Sequence, residues 1–267
     1  MIAQLAGLQQ LVAFTFILTF FGMSAASLFM LIDRNQVAAR FRLSVTTAGL
    51  ICAIAAGNYF FMRQIYVDGA ISGKVAFPTE FRYIDWFLTV PLMLAQFPMH
   101  LGLGRKGAAF MARLVGLSVL MLGFGYVGEV NPDKPALQVA MWSIGCVFGL
   151  GIFVPLGLAL RQLPDRVSRA SAVTVRRMAT LVLIGWLVYP LGYLQPLLGF
   201  PADLRELIYN IADLINKVGL AAIIFWGGRL ALTDVGRPQV ADGHGARSAA
   251  DSLAARTATD SLLSGPS

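Results

Sequence analysis

The sequence predicts an all-α membrane protein, a bundle of seven transmembrane helices. Three observations carry that expectation. Hydrophobic residues make up 57% of the 267-residue chain and charged residues only 13%, with a mean hydropathy of +0.69. A soluble domain of this size needs far more charge on its surface. Seven apolar windows, each long enough to cross a bilayer as a helix (about 20 residues), follow one another between charged or Pro/Gly-rich breaks. The last window carries Lys217 four residues after Asp213, and ionisable groups inside hydrocarbon are costly unless they are used.

Taken in order, span one is Leu5–Ile32. It has no basic run ahead of it and no clear small-residue cleavage site, so it reads as a retained helix and not a removable signal. Span two, Val45–Val67, contains Cys52 and Asn58; span three, Thr79–Leu101, is the most polar, with Arg82, Asp85, Thr89 and Gln96. Spans four and five are Ala108–Val127 and Ala136–Leu160. Cys52 and Cys146 fall within spans two and five and read as small packing residues, without a disulfide or metal role. Span six, Ala179–Leu198, holds the aromatic stripe Trp186, Tyr189 and Tyr193, which by itself reads as core packing. Span seven is Ala202–Leu232. The chain therefore divides into a membrane domain, 1–233, and a segment 234–267 rich in Ala, Ser, Gly, Thr and Arg, expected to be a disordered cytoplasmic tail.

Orientation follows from the basic residues. Fifteen of the 21 Lys and Arg fall after spans one, three, five and seven, among them Arg34, Arg40, Arg42, Arg105, Lys106, Arg113, Arg161, Arg169, Arg176, Arg177 and Arg229. The positive-inside rule then puts the N-terminus outside and the tail in the cytoplasm. The net charge of +7 reflects this bias and gives no argument for nucleic acid as a partner.

The carboxylates narrow the chemistry. Of the 14 acidic residues, only Asp85 and Asp213 lie well inside apolar windows; Glu129 and Glu206 are placed at outer span ends. Asp213 and Lys217, at i,i+4, share one helix face, with the carboxylate about 6 Å to the outer side of the amine. Such an arrangement suits an amine that is a cationic Schiff base needing a counterion. Arg82, Asp85 and Thr89 form one stripe on span three, so Arg82 can neutralise the carboxylates from outside while Thr89 bonds Asp85 from inside. Gln96 lies nearly on the same face, about 16 Å further in, and cannot ionise. A cluster of this kind could simply tie spans three and seven together. Buried ion pairs are poor stabilisers, however, so retaining four such charges suggests use.

These residues resemble the microbial rhodopsins, retinal-binding seven-helix photoproteins, and within them the proteorhodopsin branch. The motifs are Arg82-Tyr83-x-Asp85-Trp86-x-x-Thr89-x-Pro91 in span three, Phe124-Gly125-Tyr126-x-Gly128-Glu129 in span four, Trp186-x-x-Tyr189-Pro190 in span six and Asp213-x-x-x-Lys217 in span seven. The resemblance covers roughly residues 5–232. It implies all-trans retinal bound to Lys217 as a protonated Schiff base, Asp85 as counterion and proton acceptor, Asp213 as second counterion, and Arg82 coupling the cluster to the outer surface. It also implies Trp86 and Trp186 on either side of the polyene, with Tyr83, Tyr189, Pro190 and Tyr193 lining the pocket. Met121, Gly125, Trp142 and Gly145 match further pocket positions, and Met93 falls where the branch tunes colour, an apolar side chain there implying green absorption. Two departures stand out. Gln96 replaces the usual cytoplasmic donor carboxylate, and Asn58 stands where many relatives pair a histidine with the acceptor. The triplet at positions 85, 89 and 96 is Asp-Thr-Gln.

What the resemblance implies is a light-driven outward proton pump, not an enzyme, in a prokaryotic plasma membrane, with protons and the lipid bilayer as partners and a homo-oligomeric state. The competing reading is a sensory photoreceptor with a slow photocycle, which Gln96 permits. A chloride pump is disfavoured by the fixed anion at Asp85. A sodium pump of the family would carry Asn and Asp where this chain has Asp85 and Thr89.

Overall fold

The computed structural model describes residues 2, 5, 7–73, 77, 79–161, 163 and 167–235. Among them the chain is almost entirely helical: α1 Gly7–Asp33, α2 Arg42–Ile71, α3 Glu80–His100, α4 Lys106–Glu129, α5 Pro135–Arg161, α6 Arg169–Gly185, α7 Val188–Leu194 and α8 Ala202–Val235. Helices α6 and α7 together form the sixth rod, Arg169–Leu194, so the bundle has seven. Six of the rods are long and apolar enough to cross a membrane by length and composition. The seventh, α3, is 21 residues long and more polar, carrying Glu80, Arg82, Asp85, Gln96 and His100. Residues 236–267, expected to be a tail, lie outside the described residues.

The bundle is apolar on its outside. Leu18, Phe21, Ile32, Val147 and Leu191 are among its most exposed side chains, whereas Arg82, Asp85, Asp213, Gln96 and Lys217 are among its most buried. In water this distribution would waste the hydrophobic effect; in a bilayer it puts the polar groups where they can pair with one another. Neighbours along the chain pack in sequence, α1 on α2, α2 on α3, α3 on α4 and α4 on α5. Helix α8 is joined to α1 by bonds from Thr19 Oγ1 to the Asn210 carbonyl (3.2 Å) and from Asn210 Nδ2 to Thr15 Oγ1 (3.0 Å).

The sixth rod differs most from the sequence reading. Its helix begins at Arg169, ten residues before the apolar window, because Ser168 caps it and Arg176 and Arg177 point outward while Thr174, Val175 and Met178 face inward. The rod breaks after Gly185 at Trp186 and Leu187. Pro190 lacks the N–H that would bond the Trp186 carbonyl, and Tyr189 N takes that carbonyl instead at 3.2 Å. At Gly192 the rod approaches α8 so closely that a Cβ would lie 2.9 Å from the Tyr209 hydroxyl. Only glycine fits there without moving the tyrosine.

Candidate functional site

Helices α3 and α8 bring the two intramembrane carboxylates to one amine. Lys217 Nζ lies 2.7 Å from Asp85 Oδ2 and 2.9 Å from Asp213 Oδ2, with all three side chains essentially excluded from the surface. The partners of the two carboxylates are unequal. Asp213 also accepts from Tyr189 (2.6 Å), from Tyr59 (2.9 Å) and from Trp86 Nε1 (3.3 Å). Asp85 Oδ1 accepts no hydrogen bond from any described residue. Protonating Asp213 would disturb several charge-assisted bonds, whereas Asp85 has an oxygen free to take a proton.

Beyond the carboxylates runs a buried chain of ion pairs. Arg82 donates to Glu206 Oε2 from Nε (2.8 Å) and Nη2 (2.5 Å), to Asn210 Oδ1 (2.8 Å) and to the Tyr59 hydroxyl (3.2 Å). Its guanidinium carbon lies 5.5 Å from the ring centroids of Phe16, Phe77 and Tyr209 and 5.9 Å from that of Tyr59. Arg205 bridges Glu206 (3.2 Å) and Glu129 (2.9 Å), and Glu129 accepts from the Tyr83 hydroxyl at 2.9 Å.

The geometry adds detail to three expectations. Arg82 does not bond either counterion directly; Tyr59, donating to Asp213, stands between them. Glu129, the last residue of α4, and Glu206, in the first turns of α8, stand at span ends as expected and are buried there in ion pairs with Arg205 and Arg82. Thr89 donates to the Asp85 backbone carbonyl (2.8 Å) and not to its carboxylate, the usual local bond of a threonine inside a helix. Asn58 likewise bonds its own helix, at the Ile54 carbonyl (3.1 Å). Gln96 Nε2 donates to the Ser44 carbonyl at 3.2 Å.

A cavity of about 410 Å³ opens against Lys217, within the range of small-molecule sites. Its lining includes every pocket residue expected from sequence: Tyr83, Trp86, Met93, Met121, Gly125, Trp142, Gly145, Trp186, Tyr189, Pro190, Tyr193, Asp213 and Lys217. Sequence reasoning did not pick out Leu122, Phe153, Tyr209 or Asn216, and named Glu129 without placing it in the pocket; all five also line it. Trp142 Nε1 is satisfied by the Pro190 carbonyl at 3.0 Å, so an indole can face an apolar ligand without an orphan donor. At Gly125 a Cβ would meet the Tyr83 hydroxyl at 2.9 Å. A long apolar ligand with a single carbonyl suits this site: aromatic and sulfur-bearing walls hold its body, and the only amine lies at the carboxylates.

The comparisons agree with that chemistry. Residues 10–229 match the family described as bacteriorhodopsin-like protein. The blue-light absorbing proteorhodopsin of Gamma-proteobacterium Hot 75m4 is 36% identical over 217 residues, covering 77% of this chain and 80% of that protein. The crystal structure of Exiguobacterium sibiricum rhodopsin superposes with a TM-score of 0.76 at 34% identity, covering 85% of this chain and 99% of that one. Xanthorhodopsin, described as a light-driven ion pump with dual chromophore, gives a TM-score of 0.78 at 26% identity, covering 87% and 97%. With a match over nearly the whole bundle, and a buried amine set between two carboxylates at the mouth of an aromatic cavity, this chain belongs to the bacteriorhodopsin-like family of microbial rhodopsins, close to the proteorhodopsins.

Proposed function

We propose that the protein is a light-driven outward proton pump of the prokaryotic plasma membrane, with its N-terminus outside. The observation that carries the reading is the 2.7 Å contact between Lys217 Nζ and Asp85 Oδ2, beside an Asp213 already committed to other donors. Lys217 Nζ would hold a retinal through its aldehyde as a Schiff base, and the retinal would supply light absorption and photoisomerisation. Trp86, Trp186, Met93, Met121 and Tyr189 hold its body, and the pocket walls exclude water from the amine.

The chain's own residues then account for vectorial transfer. Asp85 takes the proton from Nζ, since it sits in contact and has an uncommitted oxygen. Asp213, held by Tyr59, Tyr189 and Trp86, keeps a negative charge beside the nitrogen throughout. Arg82 carries the influence of Asp213 outward through Tyr59 to Glu206. Uptake on the other side proceeds without a carboxylate at position 96, because Gln96 cannot ionise. Homo-oligomerisation and the tail 234–267 form part of the same proposal, as does green absorption set by Met93.

One observation favours the sensory alternative: the inner half of the bundle presents an amide where a fast donor would stand. The test is a pH electrode in a suspension of cells expressing the chain with added all-trans retinal. Illumination acidifies the medium if the chain pumps outward, and a protonophore abolishes the signal. Pigmented cells whose medium does not respond to light point to the sensor.

A further inference from the structure

Among the described residues, the buried side chains of the acid, lysine, arginine and histidine types are Arg82, Asp85, His100, Glu129, Glu206, Asp213 and Lys217. Six belong to the counterion cluster or the ion-pair chain leading from it toward Glu206. His100 alone lies at the opposite end of α3, and the mechanism above does not use it.

Its surroundings form a polar path in an otherwise apolar region. The ring nitrogen Nε2 lies 3.0 Å from Ser44 Oγ on α2, and the carbonyl of the same Ser44 accepts from Gln96 Nε2 at 3.2 Å. Gln96 is fully buried and its Oε1 has no partner among the described residues, so an acceptor faces inward at this level without a donor. His100 sits one helical turn beyond Gln96, about 6 Å nearer the bundle's end. It is only 4% exposed, and Phe41 covers its face with ring centroids 4.7 Å apart. The charge that acts on the ring is that of Arg40, on the 3-10 turn Ala39–Phe41 before α2, and Met99 Sδ of α3 lies 3.7 Å from Ser44 Oγ.

We propose that His100, hydrogen-bonded through Ser44, is the proton relay that feeds the inner half of the bundle in place of a carboxylate at position 96. This rests on the pump reading. Imidazole suits the task because one nitrogen can accept a proton while the other releases one, leaving the ring neutral at the end of each cycle. One proton from cytoplasmic water binds at one nitrogen, one leaves from the other toward Gln96, and Lys217 Nζ receives one. Atoms and charge balance once the ring moves its N–H back between the two nitrogens to restore the starting tautomer; Gln96, which cannot ionise, only orients the water that carries the proton onward.

The test uses the full chain with retinal in lipid nanodiscs, comparing the parent with His100→Gln and Ser44→Ala in single-turnover flash spectroscopy. Return of the proton to Lys217 Nζ is expected to slow at least about tenfold in H100Q. Proton transfer to Asp85 and pigment yield should not change, and added azide, a small mobile acid, should restore the rate. Ser44→Ala keeps the ring and is expected to slow the same step, giving a second reading if H100Q folds poorly. A readout without retinal is 15N NMR of histidine-labelled chain, with His244 identified by H244Q. The His100 nitrogens should exchange with solvent and shift as pH falls from about 8 to about 4. A parent that pumps while both variants return the proton at the parental rate overturns the relay alone, as does a ring that neither exchanges nor shifts. A parent whose Lys217 Nζ never loses its proton in light overturns the pump reading and the relay with it.

Discussion

Arg82 grips Glu206 through two of its nitrogens and donates to neither Asp85 nor Asp213. Both side chains are about 1–2% exposed, so the pair is sealed from solvent. Breaking a buried pair by removing one partner costs about 3–5 kcal/mol, because the other charge is left uncompensated. Glu206→Gln is therefore expected to lower thermal stability by an amount in that range, with Arg205 losing a partner as well. Removing both charges, R82Q with E206Q, should cost less than the sum of the single changes. Thermal melts of the retinal-loaded chain in detergent measure this, and strict additivity would show that the pair is not coupled.

The unequal hydrogen bonding of the two carboxylates makes a second prediction. Asp85→Asn leaves Lys217 paired with Asp213, so pigment should still form. Proton extrusion should fall by at least about 100-fold, since the group that accepts the proton is gone. Asp213→Asn instead orphans Tyr59, Tyr189 and the Trp86 indole at once. It should reduce pigment yield and stability more than D85N does. Absorbance per mole of protein and light-induced pH change, measured side by side, separate the two roles.

Lys217→Ala removes the sole amine of the cavity and leaves two carboxylates facing each other without a cation. No visible pigment is expected at any retinal concentration, and the apoprotein should melt lower than the parent. Colour in this variant equal to that of the parent would contradict the site assignment outright.

Pocket shape is tested at Gly125, where even a single added carbon reaches the Tyr83 hydroxyl. Gly125→Val forces that hydroxyl away from Glu129, or the side chain into the cavity. Retinal uptake should slow and the pigment's absorption maximum should move. Reconstitution kinetics followed by absorbance report both.

What could be read from sequence was what lies close along the chain. Asp213 and Lys217 share a helix face by spacing alone, and the rise of one turn places them in contact in any α-helix. The apolar windows matched the rods for the same reason, with α5 and α8 within a few residues of their expected ends. The sixth rod started earlier because apolar windows stop at charge, while a helix continues as long as its arginines can face outward. Contacts between helices were legible only where the resemblance implied them, as for Asp85 beside Lys217. Arg82 and Glu206 are 124 residues apart, and nothing in either segment names the other. Glu206 and Glu129 do stand at helix ends, as their place at the edge of apolar windows implied, but their burial and their ion pairs across helices appear only in the fold. Thr89 bonds Asp85 as the spacing implied, but at the backbone carbonyl one turn back, and spacing alone does not choose between that carbonyl and the carboxylate.

The last prediction concerns Gln96. An amide at this position holds the Ser44 carbonyl but cannot hand on a proton, so return of the proton to Lys217 Nζ should be slow and strongly dependent on pH at the uptake side. Gln96→Glu installs a carboxylic acid about 16 Å along α3 from Asp85, with the Ser44 carbonyl available as partner. Its protonated form could donate to that carbonyl, so the acid has a partner at rest. Return of the proton should quicken by about 100-fold. Its dependence on pH should weaken as well, because a carboxylic acid at position 96 already holds a proton before each transfer to Lys217 Nζ. Flash spectroscopy across a pH series measures both effects. A Q96E rate no faster than the parent's, with the same dependence on pH, would mean that position 96 does not limit return of the proton and that the amide there is only a packing residue.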